Sequence, residues 1–490
     1  MCRAGAAARD LRRAGPGACA PHRGGKAGVR RRPTRRSGRR AARGACPRHR
    51  AQAPEIRGRD RARHPARTSD RARGVRGRIV RARRARGESP VIDQKRLLRR
   101  TTELAQIGGS GAAVSRLGLS ADEQRARDLV GTWLSAKGAQ VRRDAAANLF
   151  ARFGGEGEAI LVGSHLDSVP EGGRFDGALG VLCAVEALES LVDAEVRLRR
   201  PVEVVAWADE EGARFGVGLF GSAASFGRLA PGVADRRDRD GVSIAEALRA
   251  LGERGDPAAA RRDPAELAAY LELHIEQGPR LDGAGLPLGI VSDIVGIYHA
   301  RVTIRGRADH AGATVMTARA DALAAASEMV LAVERIARGR ADSVGTVGEI
   351  AVRPGAKNVV PGEAVFSLDL RAARDHDGLV REVLDGVTSV ASSRGVTATI
   401  DELARVPVTS LDPKIREVLK RATKSVGVEA PELVSGAGHD AQNPALSGVR
   451  TGMIFVRSTG GSHTPREFAS VEDAALGAQA LANAIRELAS

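Results

Sequence analysis

Short apolar runs alternate with stretches of helical periodicity along most of the chain. Residues 160–162 and 202–207 are rich in apolar side chains, which is typical of strands buried on both faces. Strand, helix, strand is the repeating unit of an α/β fold, so we expect a mainly parallel mixed sheet with helices on both faces. Between the two runs, apolar side chains recur every three or four positions and predict the helix: Val181, Val185, Leu188 and Val192.

Ser120 and Glu123 predict the start of another helix. The pair matches a capping box, in which each side chain accepts a hydrogen bond from the backbone amide of the other residue. Apolar residues then recur at helical spacing, and Gly138 predicts the end of this helix.

From residue 298 the pattern changes to the order β-α-β-β-α-β. The predicted strands are 300–304, 346–351, 364–370 and 397–401, and the predicted helices are 321–336 and 378–392. This order predicts a small ferredoxin-like α+β domain inserted into the larger one. We therefore expect a head of residues 1–90, a catalytic domain formed by residues 91–297 and 410–490, and an inserted domain of residues 298–409.

Charge is distributed unevenly along the 490 residues, whose formal net charge is +18. Residues 1–90 hold 28 Arg and one Lys against five acids, whereas the rest holds 48 basic against 54 acidic residues. The head has no aromatic residue and only six Leu, Ile or Val. It has too little apolar surface to offset the entropy of ordering, so we expect this Arg-rich head to be disordered.

Three interpretations of the Arg-rich head stay open: phosphate-backbone binding, a mitochondrial transit peptide, and an inert extended translation start. The head lacks aromatic side chains that would stack on bases and the apolar stripe of a transit peptide, so we do not expect a nucleic-acid partner. The sequence has no apolar run of about 20 residues and no secretory core, which predicts a cytoplasmic protein without a membrane partner. Only Cys183 lies outside the head, so no disulfide framework is expected.

Polar side chains follow the ends of the predicted strands. His165 and Asp167 come after the first apolar run, Asp176 precedes the predicted helix, and Glu210 and Glu211 follow the second run. In open α/β sheets the carboxyl ends of the strands form the edge at which ligands bind. The sequence therefore predicts a functional site at this edge.

The residue types at this edge suit a two-metal hydrolase, which needs a bridging carboxylate, further ligands and an unligated base. His165 and Asp167 share a face of an extended segment, so the carboxylate can orient the imidazole. The side chains of Glu210 and Glu211 diverge because they are adjacent. One of them can reach a metal ion while the other reaches a water molecule.

Two further histidines have two interpretations each on local sequence. His274 is either a metal ligand or a hydrogen-bonded core histidine, and His463 is either a ligand or an ordinary loop residue. A resemblance that spans about residues 95–488 favours the ligand interpretation for both. Seven stretches in order resemble the hydantoinase/carbamoylase amidase family, within the aminoacylase and carboxypeptidase-G type of metallopeptidase superfamily: 163–170 (GSHLDSVP), 173–177 (GRFDG), 210–215 (EEGARF), 274–279 (HIEQGP), 309–312 (DHAG), 435–441 (SGAGHDA) and 462–465 (SHTP).

The resemblance implies two divalent metal ions per subunit. Zinc is the ion implied, and imidazole-carboxylate sites also accept manganese, cobalt or nickel. The resemblance makes Asp176 the bridging ligand and Glu210 the general base. The implied ligands of the first ion are His165, Asp176 and His274, and those of the second are Asp176, Glu211 and His463.

The resemblance also implies a small-molecule ureido substrate, whose contacts would be Gln277, His310, Asn358 and Arg371. An Arg can bind a carboxylate in bidentate fashion, while amide and imidazole groups can hydrogen-bond a ureido group. We expect hydrolysis of a linear ureido C–N bond, first of all in N-carbamoyl-L-amino acids, with release of ammonia and carbon dioxide. Allantoate and β-ureidopropionate are alternative substrates, an aminoacylase or dipeptidase is a rival, and a nucleic-acid-binding protein is a more distant one.

Members of the family pair through the inserted domain, which also closes over the substrate. The resemblance therefore implies a homodimer in which residues 298–409 act as a lid and dimerisation domain. It also implies that His310 reaches the active site of the neighbouring subunit.

Overall fold

The structure is a computed structural model that describes residues 91–490. The expectations of disorder and of alternative roles for the Arg-rich head concern residues 1–90 and lie outside the described residues. No helix in the described range is long and apolar enough to cross a membrane.

Helices and strands alternate through the described range. The α-helices are α1 (Gln94–Leu104), α2 (Ala121–Ala136), α3 (Ala178–Asp193), α4 (Phe220–Ser225), α5 (Ile244–Ala250), α6 (Arg280–Ala284), α7 (Ala322–Arg338), α8 (His376–Arg394), α9 (Pro413–Lys424), α10 (Gln442–Leu446) and α11 (Val471–Leu488). The strands are β1 (Gly109–Ser110), β2 (Ala113–Val114), β3 (Gln140–Arg143), β4 (Leu149–Phe153), β5 (Ala159–His165), β6 (Val202–Trp207), β7 (Leu267–Ile275), β8 (Leu288–Ile294), β9 (Gly296–Arg305), β10 (Asp309–His310), β11 (Ser343–Thr346), β12 (Ile350–Arg353), β13 (Val359–Val360), β14 (Glu363–Ala372), β15 (Thr397–Val406), β16 (Thr409–Ser410), β17 (Glu432–Ser435) and β18 (Thr451–Val456).

The larger sheet has nine strands in the order β16-β8-β18-β7-β5-β6-β4-β3, with β17 also paired to β8. Its central strands β18, β7, β5 and β6 are parallel neighbours. Antiparallel strands flank them on both sides. The predicted α/β fold is confirmed as a mixed sheet whose parallel part is its centre.

Helices cover both faces of this sheet because its strands alternate between two cores. Ile160 and Val162 of β5 pack into one core, which α1, α3, α9 and α11 cover. Leu161 packs into the other, together with Trp207 and with residues around α4 and α10. Successive side chains of a strand point to opposite faces, so a run that is wholly buried must be covered twice. The apolar runs found in the sequence have this origin.

The second sheet has the strand order β15-β9-β14-β11, with β12 also paired to β14. All of these pairings are antiparallel. Along β14, buried side chains alternate with partly exposed ones, and α7 and α8 pack in the same core as the buried ones. With α7 and α8, the sheet follows the order predicted from the sequence, except that two strands, β11 and β12, take the place of the second predicted strand.

The single strand predicted over residues 346–351 is split in the structure. Its two halves, β11 and β12, both pair with β14. Between them, the amides of Gly348 and Glu349 donate to the Ser367 hydroxyl of β14. The Ser367 side chain thus takes the place of backbone hydrogen bonds between the strands at this point. A pattern of apolar residues does not predict such an interruption.

The predicted capping box at the start of α2 is only half formed. Ser120 caps the helix, since its hydroxyl accepts from the amide of Glu123. The Glu123 carboxylate instead accepts from the amides of Leu119 and Asp209, and it lies 2.6 Å from the guanidinium of the fully buried Arg127. A fully buried carboxylate needs more than one donor, and these groups supply a cation as well as two amides.

The chain crosses between the two sheets at two short connections. β8 ends at Ile294 and β9 begins at Gly296, while β15 ends at Val406 and β16 begins at Thr409. The division into domains at residues 297/298 and 409/410 stays a prediction.

Candidate metal centre

The candidate site lies at the carboxyl ends of neighbouring parallel strands. His165 is the last residue of β5 and pairs with Trp207 at the end of β6. His274 lies one residue before the end of β7, and the loop after β18 carries His463. Because parallel neighbours end at the same edge of a sheet, residues far apart in sequence meet there.

Asp176 reaches the same edge from the turn before α3. The next residue, Gly177, has a φ of 59°, and a Cβ atom on it would lie 2.3 Å from the His165 ring. Glycine is therefore needed both for the left-handed backbone and for the space beside the imidazole.

Three buried side chains form the first potential ligand group. Asp176 Oδ1 lies 3.2 Å from His274 Nε2 and 3.8 Å from His165 Nε2, and the two imidazole nitrogens are 3.5 Å apart. The three ligand atoms all lie within 4.8 Å of one another. These residues are the implied ligands of the first ion.

A second potential ligand group uses the other oxygen of Asp176. His463 Nε2 lies 3.4 Å from Asp176 Oδ2 and 3.1 Å from Glu211 Oε2, and these atoms also form a group within 4.8 Å. Because one oxygen of Asp176 faces each group, its carboxylate is placed to bridge two ions. We call the five side chains of both groups the candidate metal cluster: His165, Asp176, Glu211, His274 and His463.

Buried carboxylate oxygens fit divalent ions in the candidate metal cluster. Glu211 Oε1 is buried without a hydrogen-bond partner, and Asp176 Oδ1 is buried beside the imidazole nitrogens of His274 and His165. A buried acceptor without a partner is costly, and a cation removes that cost. Burial opposes ionisation of Asp176, but the hydrogen bonds of His274 and His463 hold its pKa well below the usual range.

A neighbouring group of potential ligands also contains His274, but both oxygens of its carboxylate accept hydrogen bonds from protein groups. Glu272 and His439 are fully buried and also lie within ligand distance of His274. Glu272 accepts hydrogen bonds from the Ser164 and Tyr270 hydroxyls and from the Ala441 amide. His439 Nε2 lies 2.8 Å from the Ser435 hydroxyl. This Glu272 cluster, defined as Glu272, His439 and these partners, is satisfied by protein groups.

Asp167 joins the two halves of the site. Its carboxylate lies 3.3 Å from His165 Nδ1, as expected for a residue that orients the imidazole. It also accepts from the amides of Glu210 and Glu211, both at 3.0 Å. The second role, which holds the turn after β6, was not expected from the sequence.

Glu210 stands beside the candidate metal cluster but belongs to neither ligand group. Its carboxylate lies 3.7 Å from His165 Nε2. Burial raises the pKa of Glu210 well above its usual range, and the carboxylates of Asp440 and Glu211 add to this against the attraction of His165. A carboxylate with a raised pKa near the reacting groups is suited to accept and return a proton.

Comparison with known proteins identifies the family. The profile of peptidase family M20/M25/M40 matches residues 161–487. An N-carbamoyl-L-amino acid amidohydrolase from Geobacillus stearothermophilus is 42% identical over 408 residues, which cover 81% of this chain and 99% of that protein. The chain belongs to peptidase family M20/M25/M40.

Other M20/M25/M40 relatives support the resemblance to hydantoinase/carbamoylase amidases. The crystal structure of a hydantoinase/carbamoylase family amidase from Burkholderia multivorans matches with a TM-score of 0.75 and 35% identity, covering 82% of this chain and 98% of that one. An allantoate deiminase from Arabidopsis thaliana is 33% identical over 421 residues, covering 78% of this chain and 80% of that protein. The family is metal-dependent, in agreement with the candidate metal cluster.

Of the implied substrate contacts, Gln277 touches the candidate metal cluster, whereas Arg371 touches the loop after β17. Gln277 donates from Nε2 to Asp176 Oδ2 at 2.8 Å, so it touches the candidate metal cluster. Arg371 on β14 donates to the Gly436 carbonyl and, through Nε and Nη2, to both oxygens of Asp369 at 3.0 Å. These two parallel hydrogen bonds to the Asp369 carboxylate therefore fix the plane of the guanidinium.

The other two implied contacts stand apart from the cluster. His310 on β10 pairs with Val359 of β13, and the amide of Ala311 donates to the carbonyl of Asn358. His310 is exposed. No hydrogen bond or ion pair within residues 91–490 joins His310 or Asn358 to the candidate metal cluster.

Sequence reasoning missed Glu467, which is buried against this M20/M25/M40 site. Its Oε1 accepts from the amides of Phe175 and Asp176, and its Oε2 lies 3.0 Å from the Ser462 hydroxyl. The one signal in the sequence is its position four residues after His463. That spacing lies in a loop, where periodicity does not predict which side chains meet.

Proposed function

We propose that the chain hydrolyses the linear ureido group of N-carbamoyl-L-amino acids with two divalent metal ions. One water is consumed, and the amino acid, ammonia and carbon dioxide are the products. The observation that carries this proposal is the pair of ligand groups that share Asp176 beside the unengaged Glu210. Relatives named N-carbamoyl-L-amino acid amidohydrolase, at 42%, 38% and 37% identity, support the substrate class.

Each residue of the site has a defined part in this reaction. Divalent ions bound by the candidate metal cluster would supply Lewis acidity toward the ureido carbonyl and would favour deprotonation of the attacking water. Glu210 accepts the proton of that water and returns it to the leaving nitrogen. Asp167 contacts both the Glu210 amide and His165 Nδ1, so it holds the turn that carries Glu210 and the His165 ring in fixed positions relative to each other.

Arg371 is our candidate for binding the substrate carboxylate. Its Nε and one N–H of Nη2 are engaged by Asp369. Nη1 also donates to the Gly436 carbonyl. This leaves one N–H of Nη1 and one of Nη2 to donate to a second carboxylate. Gln277, which already touches Asp176, would hydrogen-bond the ureido group from the other side.

The positions of His310 and Asn358 support a homodimer. His310 lies on β10, which forms a separate two-stranded sheet with β13, and Asn358 directly precedes β13. Neither has a hydrogen bond or ion pair to the candidate metal cluster within the described part of the same chain. We propose that residues 298–409 form the lid and dimerisation domain, and that His310 completes the site of the neighbouring subunit. Sedimentation of the active protein tests this, and full activity of a dilute monomer would contradict it.

A substrate panel tests the activity itself. The purified chain, supplied with zinc or with manganese, is incubated with N-carbamoyl-L-amino acids, allantoate, β-ureidopropionate and an N-acyl-L-amino acid, and ammonia is measured. We propose zinc as the native ion and expect the fastest ammonia release from an N-carbamoyl-L-amino acid, with its D-enantiomer as the control. Allantoate is the second candidate, since relatives at 33% identity are named allantoate deiminases. Absence of ammonia from every ureido compound would refute the proposal.

A further inference from the structure

The loop that carries His463 is closed at its base. Thr459 and Phe468 exchange two backbone hydrogen bonds, of 2.8 and 2.9 Å. Gly460 lies just inside this bridge, with a φ of 80°, and a Cβ atom on it would lie 2.0 Å from the Arg466 carbonyl. The two sides of the loop therefore pack backbone against backbone, so its base is defined by the fold.

One side chain of this loop reaches across to the turn that carries Asp176. Glu467 is only 5% exposed, and its Oε1 accepts from the amides of Phe175 and Asp176 at 2.9 and 3.0 Å. The Ser462 hydroxyl lies 2.5 Å from Asp176 Oδ2 and 3.0 Å from Glu467 Oε2. Glu467 thus contacts both the backbone of Asp176 and the residue directly before His463.

Two independent features maintain this contact. A Cβ atom on Gly173 would lie 2.1 Å from Glu467 Oε1, so the turn has room for the carboxylate only because residue 173 is glycine. The second feature is a contact between Phe175, which precedes Asp176, and Phe468, which follows Glu467. Their rings meet edge to face, with centroids 5.9 Å apart.

We propose that Glu467 is a positioning residue that sets the separation between Asp176 and His463 and thereby the affinity of the second metal position. This inference rests on the proposed binuclear function. The second position takes two ligands from different segments, the turn before α3 and the loop after β18, and Glu467 is hydrogen-bonded to both. The first position takes two of its three ligands, His165 and His274, from paired strands of the sheet and shares only Asp176 with the second, so its geometry depends less on that loop.

Metal stoichiometry separates the two positions. The full chain and its variants are equilibrated against buffered free zinc, and bound zinc is measured by mass spectrometry. For Glu467→Ala we expect the first ion to bind as in the wild type and the second about 10–100-fold more weakly, which is the usual cost of losing a group that orients a ligand. Gly173→Ala should have the same effect, because it displaces the carboxylate without removing it.

Two further variants distinguish positioning from general damage. Glu467→Gln keeps an oxygen for the two amides and an amide group to donate to Ser462, so it should restore binding of the second ion. Arg466→Ala, at the exposed neighbouring position, should leave both ions unchanged. If Glu467→Ala and Gly173→Ala both bind two ions with wild-type affinity, the proposal is wrong. It is also wrong if Glu467→Gln is as weak as Glu467→Ala.

The wild-type protein distinguishes this inference from the proposed function. If it binds two ions and releases no ammonia from the ureido panel, the proposed activity fails while the stoichiometry of the variants still decides the role of Glu467. If it binds fewer than two ions, both proposals are overturned.

Discussion

Two groups of carboxylate and imidazole side chains share His274, and they differ in how their oxygens are paired. In the Glu272 cluster, both oxygens of Glu272 accept hydrogen bonds from protein groups. In the candidate metal cluster, Glu211 Oε1 is buried without a donor, and Asp176 Oδ1 lies beside the His274 imidazole. Both groups satisfy a distance criterion for metal binding. The candidate metal cluster therefore retains a carboxylate oxygen that a cation could pair, and Glu272 does not.

Hydrogen bonding also explains how Glu272 and Asp167 can lie so close to the site. A buried carboxylate is tolerated when donors surround it, and Glu272 and Asp167 are both surrounded in this way. Asp176 and Glu211 are also held by imidazole groups, for which a metal ion would compete. These imidazole and carboxylate groups could therefore bind a divalent cation instead of one another.

The largest effect is expected from the carboxylate that belongs to neither group. Glu210→Gln removes the proton acceptor and keeps the shape, so turnover should fall by about 10²–10⁴-fold, the usual contribution of a general base. Bound metal should stay at two ions, measured in the same samples by mass spectrometry. Activity within tenfold of the wild type would exclude Glu210 as the base.

The next largest effect comes from one histidine of each group. His165→Ala should reduce bound metal by one ion because it removes a ligand of the first position. His439→Asn should retain two ions because His439 is hydrogen-bonded to Ser435. Equal loss of metal in both variants, measured by mass spectrometry, would erase the distinction between the two groups.

A pH titration should change the apparent metal affinity of the second position by about tenfold per pH unit. In the metal-free protein, hydrogen bonds with Asp176 and Glu211 raise the pKa of His463 to about 10. A protonated imidazole cannot bind a metal ion, so the apparent affinity of the second position should rise about tenfold per pH unit up to about pH 10. An unperturbed histidine would level off above its usual pKa of about 6.5. Competition with a zinc chelator between about pH 6 and pH 9 measures this, and a plateau above pH 7 would contradict it.

The smallest effect on the metal is expected from Glu272→Gln, which should act on stability instead. The substitution changes an acceptor of buried donors, so the free energy of unfolding should fall by about 1–3 kcal/mol. Chemical denaturation measures this loss, and two ions should still bind. Loss of an ion with unchanged stability would move Glu272 into the metal site.

The sequence predicts the scaffold of the site well because the scaffold rests on local patterns. The apolar runs of β5 and β6 mark strands buried on both faces, and their polar ends mark the edge where His165 and Glu210 lie. The glycine next to Asp176 is explained by a backbone angle and by a nearby ring. Each of these features depends on a few adjacent residues and on general rules of sheets.

The partners of buried carboxylates could not be predicted in the same way. Glu123 reaches Asp209, which is 86 residues away, and Glu467 reaches Asp176 across 291 residues. Such pairs are decided by how loops pack in three dimensions, and single-sequence periodicity contains no information on this. Ser367 likewise interrupts a predicted strand through its side chain. Polar pairing between distant segments is therefore what the structure adds.

Anomalous diffraction at the zinc edge, from crystals of the full chain grown with zinc, tests whether two metal ions bind on either side of Asp176. We expect two anomalous peaks, one among the ligand atoms of His165, Asp176 and His274, and one among those of Asp176, Glu211 and His463. A single peak between Glu272, His274 and His439, or no peak beside Asp176, would contradict this expectation.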